Sequence, residues 1–254
     1  MPQNRWVRQP AASDAGNGGG GHQLPPITSL EVTYRSDPEL VRAVVPPPLV
    51  ASPNANVHLR FTDIDLDFGS FQWREKVGWF GVDVLHGEVH GEYPLIIPID
   101  LETAVAISRE RNGEPKKLAD IRIERRGADV RASMTRLGVT FAEVVGTVTG
   151  DLPVPDPYET RQFWFKFMPA VSGHGFDGEV LLVQVDQVRT PVRLEAVDAK
   201  VVLRDLPSAP LADLPVCELV SAHWTSRRAT TSPRVVGPVD PDAFAPFAAA
   251  RYDA

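Results

Sequence analysis

Eight short runs dense in Val, Ile, Phe and Trp constrain this chain most: 57–61, 77–85, 93–99, 128–133, 139–149, 161–168, 180–190 and 192–203. Branched and aromatic side chains suit a pleated, half-buried surface, and clusters of Gly, Pro and Asp separate the runs. Many of them come in consecutive pairs, which favours an antiparallel barrel or sandwich over a βαβ sheet. Leu30-Glu31-Val32-Thr33-Tyr34 alternates as a half-buried strand should. Helical pattern is sparse. Asp37 caps a short segment with Pro38 at its first position, and Pro46-Pro47-Pro48 stops it. Two more helices are expected over residues 103–111 and 240–251. The predicted fold class is β-rich α+β, with a few short helices and no internal repeat.

At 254 residues, with 43% hydrophobic and 23% charged, the chain can bury a substantial core. One domain is expected over residues 25–254. Residues 1–24, with the run Gly18-Gly19-Gly20-Gly21, read as a disordered leader too polar to offset its ordering entropy. A formal net charge of -7 argues against a nucleic-acid partner, because phosphate binding needs clustered Lys and Arg. Arg122, Arg125 and Arg126 read as an exposed strand face or a subunit contact. No run approaches the roughly 18 apolar residues of a membrane span, and the N-terminus lacks a signal-peptide core. The single cysteine, Cys217, has no intramolecular partner, so the cytoplasm is the expected compartment. Its Leu, Pro and Val neighbours read as those of a buried hydrophobe. His86 and His90 are spaced for a metal on a helix, but the strand pattern around Gly87 argues against that, and no metal or other cofactor is expected.

Lys116-Lys117 follows Pro115 and precedes Leu118-Ala119, in an apolar neighbourhood that begins at Leu101. A bare pair of lysines is usually a solvated turn. Four ordered blocks around it change that reading. Tyr34-Arg35-Ser36-Asp37 with Val44-Val45-Pro46-Pro47-Pro48-Leu49 is the first. Gly91-Glu92-Tyr93, Glu102, Ala104-Val105-Ala106, Arg109-Glu110 and Pro115-Lys116-Lys117-Leu118 form the second. Phe165-Lys166-Phe167-Met168-Pro169 and the stretch from Asp213 to Ser221 are the third and fourth. In order and spacing these resemble the acetoacetate decarboxylase family from about Ile27 to the C-terminus.

The resemblance implies an antiparallel β-barrel with a few short helices, a homo-oligomer, and a lysine that forms an imine with a ketone. The correspondence puts that role on Lys116. The iminium accepts the electrons released when a β-carboxylate leaves as carbon dioxide, and acetoacetate decarboxylase is itself a standard example of a lysine activated for this work. An amine with the ordinary pKa near 10.4 is protonated at neutral pH and cannot attack, so desolvation or a neighbouring cation must lower it. Adjacent residues of a strand point to opposite faces, which makes burial of Lys116 the larger expected cause and Lys117 the smaller. On a plainer reading Lys117 pairs with a carboxylate such as Glu110 and holds the loop.

Glu75 falls, with one residue of offset, where the family carries a pocket glutamate able to shuttle the enamine's proton; alternatively it is a solvated residue between Arg74 and Lys76. Arg109-Glu110 either fixes the lysine loop beside the substrate or is an ordinary surface pair. Ile27 stands where the family's decarboxylases carry a pocket arginine. Asn112, four residues before Lys116, matches an amide that superfamily members running aldol-dehydration carry at that spacing. Tyr252 could reach a pocket as an acid or hydrogen-bond donor. Trp73, Trp79, Phe80, Trp164, Phe165 and Phe167 read mostly as core, one or two of them walling an apolar pocket that desolvates Lys116.

The expected function is imine-dependent decarboxylation of acetoacetate or another 3-oxo acid. One rival keeps the imine but condenses pyruvate or another 2-oxo acid with an aldehyde and loses water, as in specialised metabolism. The other rival is a non-catalytic ligand-binding barrel.

Overall fold

The computed structural model describes residues 26–67 and 72–252; the leader expected over residues 1–24 lies outside them. The strands are β1 (Ile27–Arg35), β2 (Val50–Ala51), β3 (Asn56–Asp67), β4 (Gln72–His86), β5 (Val89–Ile99), β6 (Lys116–Leu118), β7 (Asp120–Arg126), β8 (Asp129–Arg136), β9 (Val139–Asp151), β10 (Tyr158–Lys166), β11 (Val180–Leu203) and β12 (Glu218–Val239). The helices are α1 (Pro38–Ala43), α2 (Glu102–Arg111) and α3 (Pro241–Ala248). The fold is β-rich with a few short helices, as the runs predict. Asp37 caps α1 by accepting from the Glu39 and Leu40 amides, and Asp240 caps α3 in the same way. None of the described helices is long and apolar enough to cross a membrane.

The sheet runs β10-β5-β4-β3-β1-β12-β11-β9-β8-β7, and an additional β10–β11 pairing closes its first seven strands into a ring. Most pairings are antiparallel; β10 touches β5 in parallel at Gln162 and Glu92, and the short β6 lies parallel to β5. The long β11 joins the two parts of the sheet. Its first half pairs with β10 and its second with β9, while β12 runs along much of its length.

Sequence reasoning splits β11 at Pro191 and does not mark β12 as a strand. Pro191 sits at a register irregularity between β11 and β12, where its missing N–H is tolerated and the strand continues. In β12, Ser, Thr and Arg dominate, so no apolar alternation announces it. It is a strand because β1 and β11 flank it and satisfy its backbone on both sides.

The ring strands use both faces. Leu30, Val32 and Tyr34 of β1, Leu59 and Phe61 of β3, and Phe163 and Phe165 of β10 turn one face to the main apolar core. There they meet Ile121, Met134 and Phe141 of β7–β9, the 206–214 segment and Phe244 of α3. Tyr34 reaches across this core to donate from its hydroxyl to the Leu214 carbonyl at 2.8 Å. The alternate positions face the other way, and Trp79, Ile97, Trp164, Val183 and Val185 form a second, smaller apolar cluster there. That face carries the site.

Cys217 is exposed, contrary to the buried hydrophobe its neighbours suggest. It lies just before β12, its backbone N–H donating to the Arg35 carbonyl at 2.9 Å, and the local apolar residues do not fold over it.

Candidate active site

Lys116 reaches its place through a short chain of local constraints. After α2 the chain turns at Asn112 and Gly113, whose φ of +84° favours glycine. A Cβ on Gly113 would also meet the Lys166 Cα and the Phe165 carbonyl oxygen, each at 2.6 Å. Buried Arg251 closes this turn from the C-terminus, donating from Nη2 to the Gly113 carbonyl at 2.6 Å and the Phe165 carbonyl at 2.5 Å, its guanidinium 3.9 Å over the Phe167 ring. Burial pushes that guanidinium down to about 10. The Ile97 amide then donates to the Pro115 carbonyl at 3.0 Å, which seats Lys116 opposite Ile97.

Because β6 is extended, its two lysines diverge. Lys116, 12% exposed at its side chain, points into a cavity of about 270 Å³ on the second face of the ring. Its Nζ donates to Ser108 Oγ of α2 at 3.0 Å and lies 3.1 Å from Glu114 Oε2. The Asn112 amide nitrogen donates to Glu114 Oε1 at 2.9 Å, so one carboxylate joins the amide to the amine. Glu75 of β4 lines the same cavity, with apolar walls from Trp79, Trp164, Ile97 and Val185. Ile27 lines it too. Lys117 goes the other way and is 5% exposed. Its Nζ donates to the Ser208 carbonyl at 2.7 Å and the Tyr252 carbonyl at 3.1 Å.

The residues picked from sequence therefore fall into two groups. Lys116, Glu75 and Asn112 share one cavity. Lys117, Arg109, Glu110 and Tyr252 line a second, of about 530 Å³, on the far side of β6. There the Arg109 guanidinium stacks 4.9 Å over the Tyr252 ring. It is the backbone oxygen of Tyr252, rather than its hydroxyl, that meets Lys117. Among the described residues there is no group of three His, Cys, Asp or Glu side chains that could hold a metal.

Sequence reasoning missed Ser108, Glu114 and a set of buried ions on the cavity floor. Arg60 grips Glu92 with two hydrogen bonds, 2.7 and 2.5 Å, and Arg227 donates to Glu31 at 2.6 Å and to Ser29 Oγ at 2.9 Å. Burial works to raise the Glu92 carboxyl, but Arg60 beside it holds it well below the usual carboxylate range. In Glu31 burial also opposes ionisation, and Arg227 and Arg60 outweigh it. Arg189 completes the set. One signal was available: Leu30-Glu31-Val32 and Leu59-Arg60-Phe61 place a charge inside an alternating apolar strand.

Comparisons with known proteins name the family and the fold. The acetoacetate decarboxylase family model matches residues 13–237. An acetoacetate decarboxylase of Streptomyces nogalater is 32% identical over 219 residues, covering 76% of this chain and 79% of that one. One from Clostridium beijerinckii is 26% identical over 230 residues, covering 82% and 85%. Among solved structures, acetoacetate decarboxylase from Legionella pneumophila superposes with a TM-score of 0.74 at 19% identity, covering 94% of this chain and 93% of that one. The enduracididine biosynthesis enzyme MppR, solved with pyruvate, gives 0.70 at 15%, covering 88% and 94%. At those identities the structures speak for the fold, whereas the family match spans most of the sequence: this chain belongs to the acetoacetate decarboxylase family, whose named relatives here are carboxy-lyases.

Proposed function

We propose that Lys116 forms an imine with the ketone of a 3-oxo acid, acetoacetate or a relative, and that the imine drives loss of carbon dioxide. The observation that carries this reading is the position of Lys116 Nζ: inside a cavity with apolar walls, held, among the described residues, by side chains that can trade a proton or a hydrogen bond with it. The relatives named acetoacetate decarboxylase support the choice of substrate.

Glu114, 3.1 Å from Nζ, takes the ammonium proton and frees the amine. The amine attacks the carbonyl and water leaves, giving the iminium. The bond to the carboxylate breaks, its electron pair moves to the iminium nitrogen, and carbon dioxide and an enamine result. The indole and aliphatic walls favour that step, because a carboxylate becomes neutral carbon dioxide as the charge disperses. Glu75 protonates the enamine carbon. Water then attacks the new iminium, releases the ketone and restores Lys116. Lys117, Arg109, Glu110 and Tyr252 support β6 from behind.

Borohydride reduction in the presence of acetoacetate, read by intact mass and peptide mapping, tests this. The expected result is one adduct on Lys116, with carbon dioxide released when borohydride is omitted. No adduct with acetoacetate or with pyruvate would overturn the imine and favour a ligand-binding role.

A second reading keeps the imine and condenses pyruvate with an aldehyde. Ile27 and Asn112 on the cavity wall favour it, as does the likeness to MppR, also solved with the condensation product of pyruvate and imidazole 4-carboxaldehyde. An adduct with pyruvate and no carbon dioxide from acetoacetate would select it. The family reading also carries the expectation of a homo-oligomer, which sedimentation velocity reads directly.

A further inference from the structure

Three guanidiniums, those of Arg60, Arg189 and Arg227, line the Lys116 cavity. Arg60 is matched by Glu92 and Arg227 by Glu31. Arg189, on β11, is 4% exposed and donates from Nε to Gln187 Oε1 at 2.6 Å. Among the described residues this is its only hydrogen bond, and no carboxylate lies within 4.0 Å of it. On the floor three guanidiniums thus share two carboxylates, Glu31 and Glu92, which both feel the charge of Arg189 but make their hydrogen bonds to Arg60 and Arg227. Burial, with repulsion from Arg189 and Arg60 only partly offset by Glu31, draws the Arg227 guanidinium below its ordinary value. A buried guanidinium without a close counter-ion is costly, and a bound anion lowers that cost.

The anion has a definite chemistry. A guanidinium fork binds a carboxylate strongly and holds it charged. That would retard a carboxylate that must depart as neutral carbon dioxide, since binding the ground state more tightly than the transition state raises the barrier. The carboxylate on Arg189 is therefore one that the reaction keeps. Ile27 fits the same picture: position 27 is paired across the strands with Arg227, so the arginine missing there has cationic neighbours on β11 and β12.

We infer that Arg189 anchors a second, retained carboxylate, so that the substrate is a 3-oxo acid with an acid group on the other side of its ketone. This rests on the imine reading of Lys116. A cavity of about 270 Å³ suits such a small diacid; drug-sized ligands occupy about 300–1,000 Å³. With 3-oxoadipate the step is the loss of one carboxylate as carbon dioxide, uptake of one proton at the same carbon, and release of levulinate.

Levulinate and 2-pentanone share a five-carbon methyl ketone chain and differ in the terminal carboxylate, so they isolate the anchor. Calorimetric titration should show levulinate binding at least about tenfold tighter than 2-pentanone, the scale of one charge-assisted contact. Arg189→Gln should bring the two within about threefold of each other, and Arg189→Lys, which keeps the charge but loses the fork, should give an intermediate ratio and a readout if Gln impairs folding. In turnover, kcat/KM for 3-oxoadipate over acetoacetate should fall with the same variants. Equal binding of the two ketones, or a levulinate advantage that survives both substitutions, would overturn the anchor. Because calorimetry needs no covalent step, a levulinate advantage without a borohydride adduct on Lys116 would leave the anchor standing and sink the imine alone.

Discussion

Lys116 and Lys117 are neighbours on one three-residue strand, yet the hydrogen bonds of their amines to the described residues go to different kinds of partner. Lys116 meets side chains: a serine hydroxyl, and a carboxylate that an asparagine also holds. Lys117 meets two main-chain carbonyls, and so staples β6 to the 208 loop and to the C-terminal turn. Carbonyl oxygens can hold an ammonium but cannot take its proton, while a carboxylate can do both. The difference teaches that in this tandem the face with exchangeable partners is the one suited to chemistry, and the face with fixed partners the one suited to cohesion.

The sharpest way to break the comparison is to exchange the two roles. Lys116→Arg should abolish the borohydride adduct and lower turnover by more than about a thousandfold, because guanidinium is not a nucleophile. Lys117→Arg should leave the adduct on Lys116 detectable by mass. An adduct surviving in the first variant and lost in the second would reverse the assignment. Next in size is Glu92→Gln, which leaves Arg60 buried against a neutral amide. It should cost about 3–5 kcal/mol in urea unfolding, and a loss within experimental error would show that the floor ions are not a structural unit.

A smaller effect is expected behind the strand. Lys117→Met deprives the Ser208 and Tyr252 carbonyls of their donor and should cost about 2–3 kcal/mol, seen as a lower midpoint in the same assay. Acid should act on the floor. The folded-state carboxyls of Glu31 and Glu92 lie below their unfolded values, so their contribution is complete above about pH 5 and fades as pH falls below the ordinary glutamate value. Stability measured from pH 6 down to 3 should fall less steeply in Glu92→Gln than in the parent; parallel profiles would contradict the shift. The smallest effect is Tyr252→Phe, which keeps the backbone oxygen that Lys117 uses. Activity within about twofold is expected, whereas an acid at the imine would cost about a hundredfold or more.

Much of this molecule could be read before any coordinates. The alternation at 30–34 and the dense Val, Ile and Phe runs mark strands that the structure contains, and the Asp-Pro starts of α1 and α3 are local capping chemistry. The family blocks single out Lys116 as the nucleophile to test. Period two also says that Lys116 and Lys117 part company, since it is a property of any extended chain. Periodicity cannot tell which side of a strand is inside. Glu31 and Arg60 sit opposite Leu30, Val32, Leu59 and Phe61, on what would be the wet face of an ordinary half-buried sheet. The β10–β11 pairing closes the ring and turns that face inward, joining Glu31, Arg60, Glu92, Arg189 and Arg227 from five strands. The same closure separates Arg109, Glu110 and Tyr252 from Lys116 even though two of them are close in sequence, because β6 stands between them. Sequence alone determined most of the strands and singled out the amine to test. Tertiary structure decided which charges it faces, because a residue's neighbours across a closed sheet depend on pairings between segments far apart in the chain.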